Sequence, residues 1–417
     1  MVFRLTNRIS LHSLSNFFFE GKSTLNLMCC LLWGQVLLDY IVAAFRHFIP
    51  GIPSNEYISI PLIALSVVLA IPAILKRLQI VDILFYVACI AIYILQYILY
   101  PDNLVPLEKY AYLCCFTVFP FYFLGKILDL PKMLNAFYYI SVGTICMSLF
   151  YFLLYGEGSS VLSTDDYNMA AAYSLLPHVV MVAWISIRRL SPLHICLAAL
   201  GVLLLFMFGT RGPILSFAVA LSAYILLRND GKHTRFIKIS YILLVLFLLI
   251  FLVPLATFFS NLFSDIDVSV RFFSKLLDNE ISDDSGRSDL ILALNRHLLT
   301  ERPFFGYGLF GSYKFIGGYP HNIFYELIFT FGFFVGSFLI TWLLLHFFNG
   351  YRYAPNTLNK EFILLFTVME MTHLCFSYTF LTEQMFFLLI GFCSQRTKSV
   401  FHSAIDSIQP NKTMRLQ

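Results

Sequence analysis

The chain has 417 residues, of which 59% are hydrophobic and only 12% charged, with a formal net charge of +4 and a mean hydropathy of +0.77. A soluble domain carries about 25% charged residues, so this composition excludes an ordinary water-facing globule and points to an integral membrane protein. The apolar residues fall in runs long enough to cross a hydrocarbon core about 30 Å thick.

Residues 1–22 are polar and basic, with no signal-peptide core, so the first long apolar run is expected to be a genuine span. Taken in order, spans are expected at residues 25–45, 58–74, 81–100, 110–128, 133–155, 167–187, 192–208, 213–227, 239–259, 323–347, 362–380 and 383–394. The expected fold is therefore an all-α polytopic membrane protein with about twelve transmembrane helices. Its divisions are an N-terminal bundle over 1–259, one large loop over 260–320, and C-terminal spans with a tail over 321–417.

Charge placement orients this arrangement. With the N-terminus in the cytoplasm, 19 of the 28 Lys and Arg fall on inside segments, among them Lys76, Arg77, Lys126, Lys132, Arg188, Arg189, Arg352 and Lys360. Both termini are then cytoplasmic, and the 260–320 loop faces the periplasm or exterior.

The nine cysteines lie outside that loop and mostly within apolar runs, which argues for packing over disulfides or a cysteine metal site. No spacing typical of a metal site, phosphate-binding Gly-Lys-Ser loop or Gly-x-Ser-x-Gly is present, and nothing points to nucleic acid. Among the spans, the ionisable candidates are His178, Glu370 and His373. The last two, at i and i+3, suit either function or a hydrogen-bonded packing pair.

Within the loop, Ser285-Gly286-Arg287-Ser288 precedes Leu290, Ile291, Leu294 and Leu298, an apolar stripe that predicts a helix over 286–299 stopped at Arg302-Pro303. Arg287 falls in its first turn, where free N–H groups and the helix dipole favour an anion. Arg302 suits the helix C-terminus. Arg211, in Gly209-Thr210-Arg211-Gly212-Pro213, sits between two apolar runs, where a guanidinium either grips phosphate oxygens or snorkels to headgroups. His321 opens the tenth span with Asn322 beside it and Glu326 about one turn on. That set could orient or deprotonate a hydroxyl, or simply cap the helix.

These segments together have a familiar order. Gly-Thr-Arg-Gly at 209–212, Ser-Gly-Arg at 285–287, Glu-Arg-Pro-Phe-Phe-Gly-Tyr-Gly at 301–308 and Pro-His-Asn at 320–322, with Phe331-Gly332 and Gly336 beyond, resemble the O-antigen ligase and polymerase superfamily. Residues 164–170, which include Asn168, are similar to that superfamily's Asn-containing motif. The resemblance implies a metal-independent, cofactor-free inverting glycosyltransferase of the GT-C type in a Gram-negative inner membrane. It would act on an undecaprenyl-diphosphate-linked oligosaccharide among membrane lipids, alongside a chain-length regulator protein. It places the diphosphate on Arg211 and Arg287 and the acceptor hydroxyl near His321. Arg302, Asn168, Asn322 and Glu326 are further candidate substrate contacts. The compact Tyr-Pro-His-Asn-Ile-Phe resembles polymerases more than ligases. A ligase moving the glycan to lipid A-core, and a lipid-linked oligosaccharide flippase, are the competing expectations.

Overall fold

The computed structural model describes residues 23–49, 51, 55–155, 169–208, 211–228, 234–251, 253–254, 257–258, 261 and 287–394. Asn168, Gly209, Thr210 and the charged stretch over 262–286 lie outside the described residues. The described residues are helical, with no strand among them. In order the α-helices are α1 (Ser23–Trp33), α2 (Gln35–Phe48), α3 (Asn55–Arg77), α4 (Ile80–Leu99), α5 (Leu104–Ile127), α6 (Leu130–Tyr155), α7 (Met169–Arg189), α8 (Pro192–Met207), α9 (Arg211–Leu227), α10 (Thr234–Ile250), α11 (Arg287–Glu301), α12 (Tyr313–Ile316), α13 (Ile323–Arg352), α14 (Thr357–Phe376) and α15 (Gln384–Ser394).

The expected apolar stretches fall on helices, with 239–259 only partly among the described residues. By length and composition, however, four of the described helices could cross a membrane, or five if α1 and α2, bent by 65°, make one broken span. Length is part of the difference: helices α8, α9 and α15 have 16, 17 and 11 residues, and a perpendicular crossing takes about 20. The exterior of α4 is lipid-like: Ile83, Leu84, Val87, Ile94, Leu95 and Ile98 are all exposed, and a soluble protein could not carry that apolar face.

Helix α15 is bedded deepest. Gly125 of α5 and Gly391 of α15 bring the two backbones together so closely that a methyl on either would collide with the other helix, at Leu388 O and Tyr122 O respectively. Small residues are what allow such an approach where lipid gives no hydrophobic drive for helix association.

Charged groups tie helix ends together. Lys126 pairs with buried Asp82 at 2.9 Å, and Tyr122 Oη donates to the same carboxylate at 3.0 Å. Glu361 accepts from Trp184 Nε1 at 2.8 Å and pairs with Arg188. Lys314 reaches Asp102 at 2.7 Å, while Asn103 Nδ2 donates to the carbonyls of Tyr307 and Leu309. Each set joins ends that the charge pattern puts on one side of the bundle.

The loop helix is present as α11, beginning at Arg287 and ending at Glu301. Leu294 and Leu298 are fully buried against Tyr307 and Phe329, so its apolar stripe rests on the bundle. Beyond α11 the chain inserts into a break in α13. Gly332 has φ +76° and ψ 174°, which interrupts the helical ladder and frees the carbonyls of Phe329 and Thr330. Tyr307 N–H and Gly308 N–H donate to those two carbonyls at 2.9 Å each, and Phe333 N–H donates to Pro303 O at 2.9 Å. The kink is therefore satisfied by the Pro-Phe-Phe-Gly-Tyr-Gly segment, as broken backbone inside a membrane bundle must be.

Candidate functional site

The entry to α13 is built from strained backbone. His321 has φ +56°, a left-handed conformation that costs a non-glycine residue about 1–2 kcal/mol. Asn322 then caps the helix, its Oδ1 accepting from Tyr325 N–H at 3.1 Å. Of the two residues expected at the acceptor side, the asparagine thus has a structural task, and the histidine is held beside it by the turn. Glu326, one turn on, is buried and accepts from Thr379 Oγ1 at 2.5 Å. That contact ties α13 to the turn after α14.

From His321 a run of rings leads inward. Tyr319 meets it edge-on at 4.6 Å, Tyr378 lies 6.1 Å from Tyr319, and His373 lies 5.9 Å from Tyr378. Tyr173 then stacks on His373 at 4.0 Å. The Tyr173 hydroxyl in turn lies against the Cα of Gly212, where a side chain would have no room. Tyr378, like His321, has a left-handed backbone, with φ +68°. The fold therefore connects His321 to the residue next to Arg211 through aromatic contacts drawn from α7, α14 and two turns.

Two other expected residues belong to the loop. Arg287 opens α11. Arg302 lies over the rings of Tyr100 and Tyr307, 5.8 and 5.6 Å from their centroids, at the junction of α4 with the 301–308 segment. There Tyr307 Oη donates to Glu301 at 2.7 Å, and His297 pairs with the same carboxylate at 2.9 Å. His297 and then Tyr307 hold the Glu301 carboxyl below its ordinary value, and burial pushes the Tyr307 hydroxyl up to about 12.

Beside the ring run is an open cavity of about 190 Å³ between the α1–α2 bend, α7 and the 378–385 turn. Its polar lining includes Asp39, Tyr173, His178, Tyr378 and Glu383. His178 Nδ1 is 3.1 Å from Ser141 Oγ, which also accepts from Trp33 Nε1 at 3.1 Å. Glu383 belongs at once to the cavity and to a second group: with Glu370 and His373 it forms a cluster whose ligating atoms all lie within 4.8 Å of one another. Spacing along the chain does not reveal that cluster, because its third member is contributed across the turn after α14.

Comparison of the chain with protein-family models, curated proteins and solved structures gives no match. The functional reading therefore rests on the residues and their arrangement. Chemically, the arrangement offers a histidine at one end of an aromatic wall and the backbone beside Arg211 at the other, next to a cavity lined by carboxylates and imidazole.

Proposed function

We propose that the chain is an O-antigen polymerase: a membrane-embedded glycosyltransferase that moves a glycan from undecaprenyl diphosphate onto the next lipid-linked repeat unit. The observation that carries this reading is the convergence of separated motif segments. Gly212 packs on Tyr173, five residues beyond Asn168; the 303–308 segment completes the kink at Gly332; and the ring run from Tyr173 ends on His321. Segments scattered from Tyr173 to Gly332 thus form one connected structure.

In this mechanism Arg211 and Arg287 meet the negative charge that develops on the diphosphate. His321 takes the proton of the acceptor hydroxyl, whose oxygen attacks the anomeric carbon from the face opposite the leaving group. The bond from that carbon to the diphosphate oxygen breaks, the anomeric centre inverts, and undecaprenyl diphosphate departs. The accompanying topology has twelve spans, cytoplasmic termini and a periplasmic 260–320 loop. It agrees with the same-side pairing of Asp82 with Lys126, Arg188 with Glu361 and Asp102 with Lys314.

The test is a gel of lipopolysaccharide from a strain deleted for the gene. Core carrying a single repeat, with no ladder, is the expected result. Bare core with long chains stranded on undecaprenyl diphosphate would make the protein the ligase. A normal ladder would overturn both and favour a transporter. One observation speaks for that second reading: buried carboxylates and imidazole beside a broken helix pair are features of ion-coupled carriers.

A further inference from the structure

We infer that Glu370, His373 and Glu383 form a divalent-cation site in the wall of the cavity. The inference depends on neither glycosyl transfer nor transport.

The donor set comes first. One imidazole and two carboxylates suit a borderline-to-hard divalent ion such as Zn²⁺ or Mn²⁺. His373 Nδ1 faces both acids, 3.9 Å from Glu370 Oε2 and 3.8 Å from Glu383 Oε2. These gaps are too long for hydrogen bonds, so the cluster is not a closed packing pair. They are close to the separation of two donors that share one ion. With bonds of about 2.1 Å, the edge of a tetrahedron is roughly 3.4 Å, which the two edges from His373 reach by closing about half an ångström; the edge between the carboxylates lies within 4.8 Å and closes with them.

Charge balance comes next. Glu370 and His373 are fully buried, and Glu383 is largely so. Among the described residues, neither carboxylate has a lysine or arginine in salt-bridge reach, and the group facing both that can carry positive charge is His373. Left to themselves, such buried acids hold protons; a divalent ion that displaces those protons supplies the charge the carboxylates then need. Glu370 Oε1 is also buried without a hydrogen-bond partner, so that carboxylate keeps acceptor capacity the protein leaves unused. Stacked Tyr173 and tilted Tyr378 wall in the imidazole, while Glu383 opens onto the cavity and provides the way in.

The experiment uses the full chain in lipid nanodiscs, stripped with chelator and then titrated separately with Zn²⁺ and Mn²⁺ under equilibrium dialysis. One equivalent per chain is expected, with the two ions competing. Glu370→Gln and Glu383→Gln keep the side-chain shape, and each is expected to weaken binding by at least about tenfold. Added ion should raise the wild-type melting temperature and leave that of the Glu383→Gln protein unchanged. Should the variants fail to fold, a nitrogen hyperfine coupling to Mn²⁺ bound to the wild type would still support the site, and its absence would overturn it. Binding no greater than that of empty nanodiscs, or equally tight in wild type and both folded variants, would also overturn it.

Discussion

Tyr173 lies flat on His373, 4.0 Å between ring centroids and 18° between planes, while its hydroxyl presses on Gly212. One side chain from α7 thereby couples the imidazole of α14 to the start of α9, where Arg211 stands. Gly212→Ala would drive a methyl into the Tyr173 hydroxyl, and overpacking of this kind costs about 1–3 kcal/mol. The expected outcome is a lower melting temperature in detergent and weaker polymer formation. Combining it with Tyr173→Phe removes the closest contact and keeps the stack but leaves the ring's Cζ 2.8 Å from the new methyl, so both should be restored in part.

Replacing Arg211 or His321 with alanine separates chemistry from folding. Each variant should insert and accumulate like the wild type yet fail to build the polysaccharide ladder. Removing one group that stabilises a developing oxyanion typically costs a factor of about 10²–10³ in rate. Wild-type ladders from either variant would remove that residue from the mechanism.

The glycine pair between α5 and α15 carries a stability prediction. Gly391→Ala puts a methyl onto the Tyr122 carbonyl, in a contact made by backbone on both sides. Neither helix can yield by rotating a side chain, so the loss should sit at or above about 3 kcal/mol. Thermal unfolding followed by aggregation in detergent checks it, with Gly51→Ala, where a methyl would meet open space, as the control.

Acid should loosen the junction around Glu301. The His297 and Tyr307 contacts depress this carboxyl below 4.5, so its contribution is present above that pH and is lost as the pH falls through the lowered value. Amide protection factors across residues 297–308, exchange rates taken relative to the intrinsic rate at each pH, should fall under acid in the wild type. In Glu301→Gln they should be lower at neutral pH and less sensitive to acid.

Legibility varied with the kind of signal. Helix α11 was readable because Leu290, Ile291, Leu294 and Leu298 repeat at helical spacing and Pro303 ends the run. The Glu370 and His373 pair was readable because ionisable groups stand out in apolar sequence; Glu383, at the edge of its apolar run, was not singled out, and the fold brings it to them. Tyr173 and Tyr378 were not readable: in a chain with 24 Tyr and 45 Phe, one more ring carries no information. Nor was the docking of 303–308 into α13, since it depends on backbone carbonyls released at Gly332, and backbone groups are the same in every residue. The cap of α13 was read onto the wrong neighbour: the sequence offered His321 for it, and the side chain that takes it is Asn322.

The seam between Gly125 and Gly391 also bears on how the protein is made. Helix α5 leaves the ribosome long before α15 exists, carrying a bare groove and the Tyr122 and Lys126 backbone that will line it. Until residues 384–394 emerge, that groove is open to lipid or to a chaperone of the insertion machinery. Biogenesis therefore has a late checkpoint: a nascent chain stalled before α15 should be recognised by membrane proteases, however completely its earlier helices have assembled.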